Sequence, residues 1–486
     1  MSSLIQNIFK TVLKNIMNTQ QIHSKSTRRK FLTQATSSAF GFTFIPAYLT
    51  SARAQNNPQR PPSQRINLGC IGAGGRGSGV VSGICRKGNA LPVAICDVDH
   101  NRAAGIIKGN PKAKLFHDFR EMFDKMGGDI DAVSVATPDH THFTAAIQAM
   151  SLGKHVYVEK PLTHTFEEAA ILMRGEKKFK VVTQMGNQGH TSGGSEQFKR
   201  MLAGGVVNDV VKVEAWKSSS LWFMDKKKRI KGYPEAQPIP ESLKSWDLWC
   251  GPQEMKEFSS MFHPFDWRGF HLYGGGMFGD WGCHIIDFIH HYLDLGLPTK
   301  ISPKALGDYN KISFPLNSHI ELDFPSRGKN KPAVHVVWKA GGDHASSIDE
   351  KYLGGKKAPG LGGAGTLLHR KQEDYLVHRN SHSGSSKLIS ANKHDDLKEA
   401  LNNKGPGNDH MESFTQACMG RGKTESPFSV SGTLTQVLNL GMIAEYLNTD
   451  LEFDRKTQKF IGNKVANTLL SGPAPRKEWA DHYKLA

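Results

Sequence analysis

The chain has 486 residues, enough for two or three domains with large cores. Its formal charge of +17 is unevenly spread: residues 1–54 hold seven Lys and Arg and no acid, and the remainder carries +10. The basic residues come without an aromatic ladder or nucleic-acid motif, and no apolar run beyond the amino terminus is long enough to span a membrane. Both features argue against a nucleic-acid binder and an integral membrane protein.

In chain order, Ile5, Ile8, Phe9, Val12, Leu13 and Ile16 recur at helical spacing between lysines, which fits a membrane-surface or mitochondrial-type helix, or a stretch upstream of a true start at Met17. Arg28-Arg29-Lys30-Phe31-Leu32 then opens a modestly apolar stretch that runs to Leu49 and is followed by Ala52-Arg53-Ala54. Paired arginines, a Thr- and Ser-rich hydrophobic region and a small-x-small cleavage site predict that residues 1–54 are a twin-arginine export signal, and hence a periplasmic or otherwise exported protein. That route carries folded proteins, which points to a tightly bound ligand. Residues 55–64 read as a polar, proline-bearing linker.

Residues 65–185 predict a doubly wound parallel sheet. Strand Arg65–Ile71 runs directly into Gly72-Ala73-Gly74-Gly75-Arg76-Gly77, and a helix begins near Val80. The three glycines of Gly-x-Gly-x-x-Gly allow a tight turn, close approach of backbone to a pyrophosphate, and packing of a helix whose amino terminus faces the phosphates. Strand Leu91–Cys96 ends in Asp97, placed to accept hydrogen bonds from the adenosine ribose and to repel a 2′-phosphate, so NAD is favoured over NADP despite Arg102 nearby. Helix and strand continue to alternate: Arg120–Met126, Ile130–Ala136, His142–Leu152, His155–Val158, Phe166–Lys178 and Val181–Met185. The loops Gly72–Gly77, Thr137–His142 and Glu159–Pro161 should open on one sheet edge, with Lys160 held by Pro161 at a strand's carboxyl end.

Ala136-Thr137-Pro138, then His140 and His142, then Gly153–Pro161 with its Glu159-Lys160-Pro161 closely resemble the nucleotide domain of the Gfo/Idh/MocA family (glucose-fructose oxidoreductase, inositol dehydrogenase, rhizopine catabolism). The resemblance implies that Thr137, Pro138, His140, Glu159 and Lys160 border the cofactor, with Lys160 between the nicotinamide ribose and the substrate hydroxyl.

Residues 186–450 lose the strict alternation and predict an α+β substrate domain with a large, mostly antiparallel sheet, including strands at Val206–Trp216, Ile320–Phe324 and Ala333–Lys339 and a hairpin from Gly365 to Leu376. Ser245–Pro252 and His263–Gly269 resemble motifs of the family's exported bacterial branch, with tryptophan packing under a loop as the plain alternative. Between Gly274 and Leu293, Ile285, Ile289 and Leu293 form one helical stripe, and Asp280, His284, Asp287 and His291 form a second. The polar stripe could be a solvated face; a metal site on His284, Asp287 and His291 is disfavoured, and no metal is expected. Asp280 and His284 match the family's Asp-x-x-x-His motif, which implies that His284 is the acid/base for the oxidised hydroxyl and Asp280 its partner or a substrate contact. His190, Trp267, Arg268 and His271 are candidates for the substrate pocket. Two helices, Met411–Met419 and Thr433–Leu447, flank Pro427, and the resemblance sends them back to the first domain. Residues 451–486 form a tail without a reading.

The expected activity is an exported NAD-dependent oxidoreductase acting on a secondary hydroxyl of a sugar or polyol, the protein being a homo-oligomer. The alternative is a glycosidase or lyase that oxidises its sugar transiently and recycles NAD. Export favours it, since no soluble pool would reoxidise NADH; the presence of Lys160, commonly missing from hydrolytic branches of the family, speaks for the dehydrogenase.

Overall fold

The computed structural model describes residues 65–486 except 220–229, 231, 244, 330, 343–345, 383 and 403–404. The predicted export signal and the linker lie outside the described residues.

The first sheet is wholly parallel: β1 (Ile66–Ile71), β2 (Ala90–Cys96), β3 (Lys114–Phe116), β4 (Ala132–Val135), β5 (His155–Val158) and β6 (Thr183–Met185), in the order β3-β2-β1-β4-β5-β6. Every residue of β4 and β6 is buried, because helices cover both faces, and these strands accordingly read as short continuous runs without alternation. Strand order reverses between β1 and β4, so a crevice opens at their carboxyl ends. Helices α1 (Arg76–Cys85), α2 (Phe119–Met126), α3 (Asp139–Ser151) and α4 (Phe166–Phe179) connect the strands. Helix α2 starts on the Asp118 carboxylate, and α4 starts on a reciprocal Thr165–Glu168 capping box.

The second sheet has nine strands: β7 (Val210–Lys217), β8 (Lys300–Gly307), β9 (Asn317–Phe324), β10 (Val334–Ala340), β11 (Ala364–Arg370), β12 (Leu376–Asn380), β13 (Ser386–Ile389), β14 (Leu451–Asp454) and β15 (Lys459–Phe460), in the order β13-β12-β11-β7-β10-β9-β8-β14-β15. Only β7 and β10 pair in parallel. Every second residue of β9 is buried, the pattern of a sheet with one face on a core.

The polar and apolar stripes expected on one helix after Gly274 lie on two. Helix α5 (Gly276–Ile285) ends at Ile286, and α6 (Asp287–Tyr292) continues from it. The apolar residues Ile285, Ile289 and Leu293 remain buried, but the four polar residues divide: Asp280 and His284 on α5, Asp287 and His291 on α6. Among the described residues, no three His, Cys, Asp or Glu side chains stand close enough to hold a metal ion.

Helices α7 (His410–Cys418) and α8 (Phe428–Leu447) return to the first domain, α7 packing on α1 and α8 on both α4 and α5. Helix α8 is buried nearly all round; each fully buried Leu or Val, such as Leu434, Val437 and Leu438, contributes about 1.5–3 kcal/mol, so this helix fastens the two sheets. The tail is structured too. β14 joins the second sheet, after which Trp479 packs against Phe119 with ring centroids 5.8 Å apart, Arg120 stacks on Trp479 at 4.3 Å, and the Tyr483 hydroxyl donates to Glu168 at 2.7 Å.

Candidate active site

The turn after β1 is shaped for close approach. Gly72 has φ +73°, and a Cβ on Gly77 would lie 1.8 Å from the Gly72 carbonyl oxygen, so only glycine lets α1 start there. Asp97, at the end of β2, accepts from the amides of Ala73 and Gly74 at 2.9 Å each and of Asp99 at 3.0 Å. Burial raises its pKa against the pull of those amides. One cavity is bordered by Gly72, Gly74, Asp97, Thr137, Pro138 and, from the second domain, Trp267 and Arg268. Trp249 and Trp479 complete its wall. Bare glycine backbone, a helix amino terminus and a carboxylate at the ribose end fit an NAD dinucleotide.

His140 and Glu159, expected at the cofactor, and with them His142, support this cradle from behind. His140 is fully buried, its ring nitrogens 3.1 Å from the Tyr273 carbonyl and 2.8 Å from that of Trp249; it joins the domains and lies out of reach of a ligand. His142 likewise sits between the carbonyls of Pro161 and Thr137, at 2.9 and 2.8 Å, and ties together the two loops that border the site. Burial pushes His140 down to about 3 and His142 to about 4, so both rings are neutral. The Glu159 carboxylate accepts from Arg76 at 3.0 Å and from Gln188 at 3.1 Å, binding the start of α1 to the loop after β6.

Lys160 and α5 meet across the domains. The Lys160 ammonium donates to the Asp280 carbonyl at 3.1 Å and pairs with the Asp280 carboxylate, which also lies 3.8 Å from Arg268. Burial alone would lower the Lys160 pKa; Asp280 outweighs it and the net shift is upward, so Lys160 stays a cation. His284, one turn beyond Asp280, goes the other way: burial, then the charge of Lys160, drive its pKa well down and keep the imidazole neutral. The structure thus gathers Lys160, Asp280, His284 and Arg268 at the sheet edge, with Trp267 beneath Arg268 at 4.1 Å.

His190 and His271 are placed elsewhere. His190 binds the Asp287 carboxylate at 3.0 Å and contacts His291; burial lowers its pKa, but the Asp287 charge outweighs burial and the net shift is upward. This second cluster follows from the break at Ile286. His271 lines a separate cavity with Phe314 and Tyr446.

Two residues escape the sequence reading as site members. Asp139, the first residue of α3, is buried beside Arg268, Asp280 and Lys160; desolvation pushes its carboxyl up to about 7, and its Oδ2 has no hydrogen-bond partner. His382, between β12 and β13, stacks on His284 with ring centroids 4.0 Å apart. Asp139 was legible as a carboxyl-edge loop residue, whereas nothing local marks His382.

Comparisons with known proteins agree with this construction. Residues 66–187 match the NAD-binding Rossmann fold of the Gfo/Idh/MocA oxidoreductase family, and residues 194–308 match its C-terminal alpha/beta domain. A glycosyl hydrolase family 109 protein of Shewanella pealeana is 34% identical over 161 residues, 30% of this chain and 35% of that protein. Glycosyl hydrolase family 109 protein 1 of Bacteroides fragilis is 34% identical over 135 residues, 26% and 29% of the two chains. The match thus spans about a third of these relatives' length. The WlbA dehydrogenase of Bordetella pertussis, solved with NADH and UDP-GlcNAcA, is similar in fold, with TM-score 0.54 and 14% identity over 80% of this chain and 99% of that one.

Proposed function

Starting from a chain that has the NAD-binding oxidoreductase fold of the Gfo/Idh/MocA family, we propose that it cleaves a glycoside through transient oxidation of the sugar, with the cofactor recycled at each turnover. The carrying observation is a cation, Lys160, paired with Asp280 one helical turn before a neutral imidazole, His284, the same carboxylate lying 3.8 Å from Arg268 of the dinucleotide cavity. The curated relatives named as glycosyl hydrolases support this reading over a net dehydrogenase.

NAD, when bound, supplies the hydride acceptor and later the hydride donor. His284 takes the proton of the secondary hydroxyl, and the Lys160 ammonium stabilises the developing alkoxide. Asp280 holds Lys160 in place and keeps it charged. A ketone two carbons from the anomeric centre acidifies the hydrogen on the carbon between them, and loss of that hydrogen expels the aglycone. Reversal of the steps with water returns the hydroxyl and the hydride.

The second reading, a net dehydrogenase, is favoured by the retained Lys160 with its Asp280 and His284 partners. One experiment separates the two: purified protein carrying its cofactor is mixed with glycosides while bound NADH absorbance and aglycone release are followed together. Release without lasting NADH is expected; NADH persisting one-for-one with an oxidised, uncleaved sugar would refute the recycling reading.

We also propose that residues 1–54 direct export and are removed after Ala54. Their paired arginines and Ala-x-Ala site support this. Mass spectrometry of the exported protein tests it, and an intact amino terminus there would overturn it.

A further inference from the structure

The recycling reading requires two proton acceptors: one for the hydroxyl that is oxidised, and one for the hydrogen on the neighbouring carbon once the ketone has formed. His284 accounts for the first. Neighbouring carbons are about 1.5 Å apart, and the hydrogens to be removed, one on oxygen and one on carbon, point to different places. A second base must therefore stand beside His284 without coinciding with it.

We propose that His382 is this second base, and that it removes the hydrogen next to the transient ketone. Its ring lies against that of His284, with centroids 4.0 Å apart and planes inclined by 27°, while Trp281 meets it edge-on at 5.2 Å. The ring is partly exposed, so a substrate can reach it. Its Nδ1 lies 3.0 Å from the Ser381 hydroxyl, and among the described residues Nε2 has no hydrogen-bond partner. With Ser381 holding Nδ1, Nε2 is left to exchange protons.

Two hydrogen bonds and one close approach hold His382 beside α5. The His382 amide donates to the His284 carbonyl at 3.3 Å. The Arg379 guanidinium donates to the His382 carbonyl. Gly189 leaves room for the loop: a Cβ there would lie 3.0 Å from the His382 carbonyl carbon. His382 itself has φ +55°, a left-handed conformation that a histidine adopts at a cost of about 1–2 kcal/mol. Burial, followed by the charges of Lys160 and Arg379, lowers its pKa, so it enters the reaction unprotonated.

The proton balance closes. His382 Nε2 takes the hydrogen, the C–H electron pair becomes a C=C bond, and the bond from the anomeric carbon to the aglycone oxygen breaks. The imidazolium returns its proton to that oxygen. Water then adds in the reverse sense: His382 takes a proton from the water as its oxygen joins the anomeric carbon, and gives a proton back to the adjacent carbon. No oxidant beyond the recycled cofactor is needed.

This inference rests on the recycling reading, and its test distinguishes the two. The probes are p-nitrophenyl hexosides and N-acetylhexosaminides of both anomers that reduce the bound cofactor of the wild-type protein. In heavy water, three signals are followed for wild type, His382→Asn and His382→Gln: single-turnover cofactor reduction, deuterium uptake at the carbon next to the anomeric centre, and p-nitrophenol release. Both variants should reduce the cofactor within about threefold of wild type, while deuterium uptake and release fall at least about a hundredfold, as for loss of a positioned base. Variants that still exchange and cleave like wild type would overturn the role of His382. So would a parallel fall of all three signals, which marks a merely structural residue. A wild-type protein that reduces its cofactor yet neither exchanges nor cleaves would overturn the recycling reading itself, and the second base with it.

Discussion

Two sets of histidines meet near the cofactor cavity, and their partners separate them. His140 and His142 each stand between two main-chain carbonyls and donate to one of them, whereas His284 and His382 stack on each other, with the buried Nδ1 of His284 unpartnered. All four rings are kept neutral by burial. Protonation state therefore does not tell a structural imidazole from a reactive one; what stands around its nitrogens does. The same contrast holds for carboxylates: Glu159 is spent on Arg76 and Gln188, while Asp139 keeps an oxygen unbonded beside Lys160 and Arg268.

Removing a group from the reactive set should act on chemistry. Lys160→Ala and His284→Ala should each slow hydride transfer by at least about a hundredfold at saturating substrate, and the double variant should lose far less than the product. Single-turnover NADH absorbance measures this, and NAD binding should survive in His284→Ala. Fully multiplicative losses would mean that the two residues do not share a site.

Asp139 offers a pH test. Its carboxyl titrates near 3.8 when unfolded and at about 7 in the native protein, so the folded state holds the extra proton in between. The stability this contributes is present below about pH 4 and is lost as pH rises through about 7. Asp139→Asn should therefore stabilise the protein at pH 8, by of order 1–4 kcal/mol, and change little at pH 4. Thermal unfolding at the two pH values reads this; a uniform shift would contradict it.

For the carbonyl-flanked set the sign is opposite. His142→Ala leaves the one carbonyl to which the neutral ring donates, that of Thr137 or of Pro161, unsatisfied and should cost about 1–3 kcal/mol in denaturant unfolding, whereas His284→Ala should cost less than about 1 kcal/mol. Equal losses would erase the distinction. The smallest effect is expected at the ribose: Asp97→Ala should weaken NAD roughly tenfold by titration, the worth of one hydrogen bond to a charged group, and narrow the preference over NADP.

The first domain is legible in the chain because each element there carries its own signal: a glycine turn, a buried run, a cap, then a helix. β6 closes at Met185, where the alternation was expected to end. Lys160 and Asp280 are separately legible as motifs, although the ion pair that unites them joins residues 120 positions apart. His382 is hidden because only the pairing of β12 with β11 and β13 carries it to α5. The break at Ile286 is hidden for another reason: the apolar stripe runs through it undisturbed, so periodicity gives no sign that Asp287 and His291 part from Asp280 and His284. His190 accordingly joins Asp287 rather than the substrate edge, and His271 faces a different cavity.

Trp479 has a consequence for how the molecule can be divided. It forms part of the cofactor cavity wall and covers Phe119, although parallel-sheet topology would make residues 65–185 a self-sufficient nucleotide binder. A fragment cut after β6 would bare Phe119, leave Glu168 without the Tyr483 hydroxyl, and lose one side of the dinucleotide groove. Such a fragment is not a transplantable module, and during synthesis the groove gains its last wall only after both sheets have been made. Cofactor capture is thereby coupled to assembly of the whole two-sheet body.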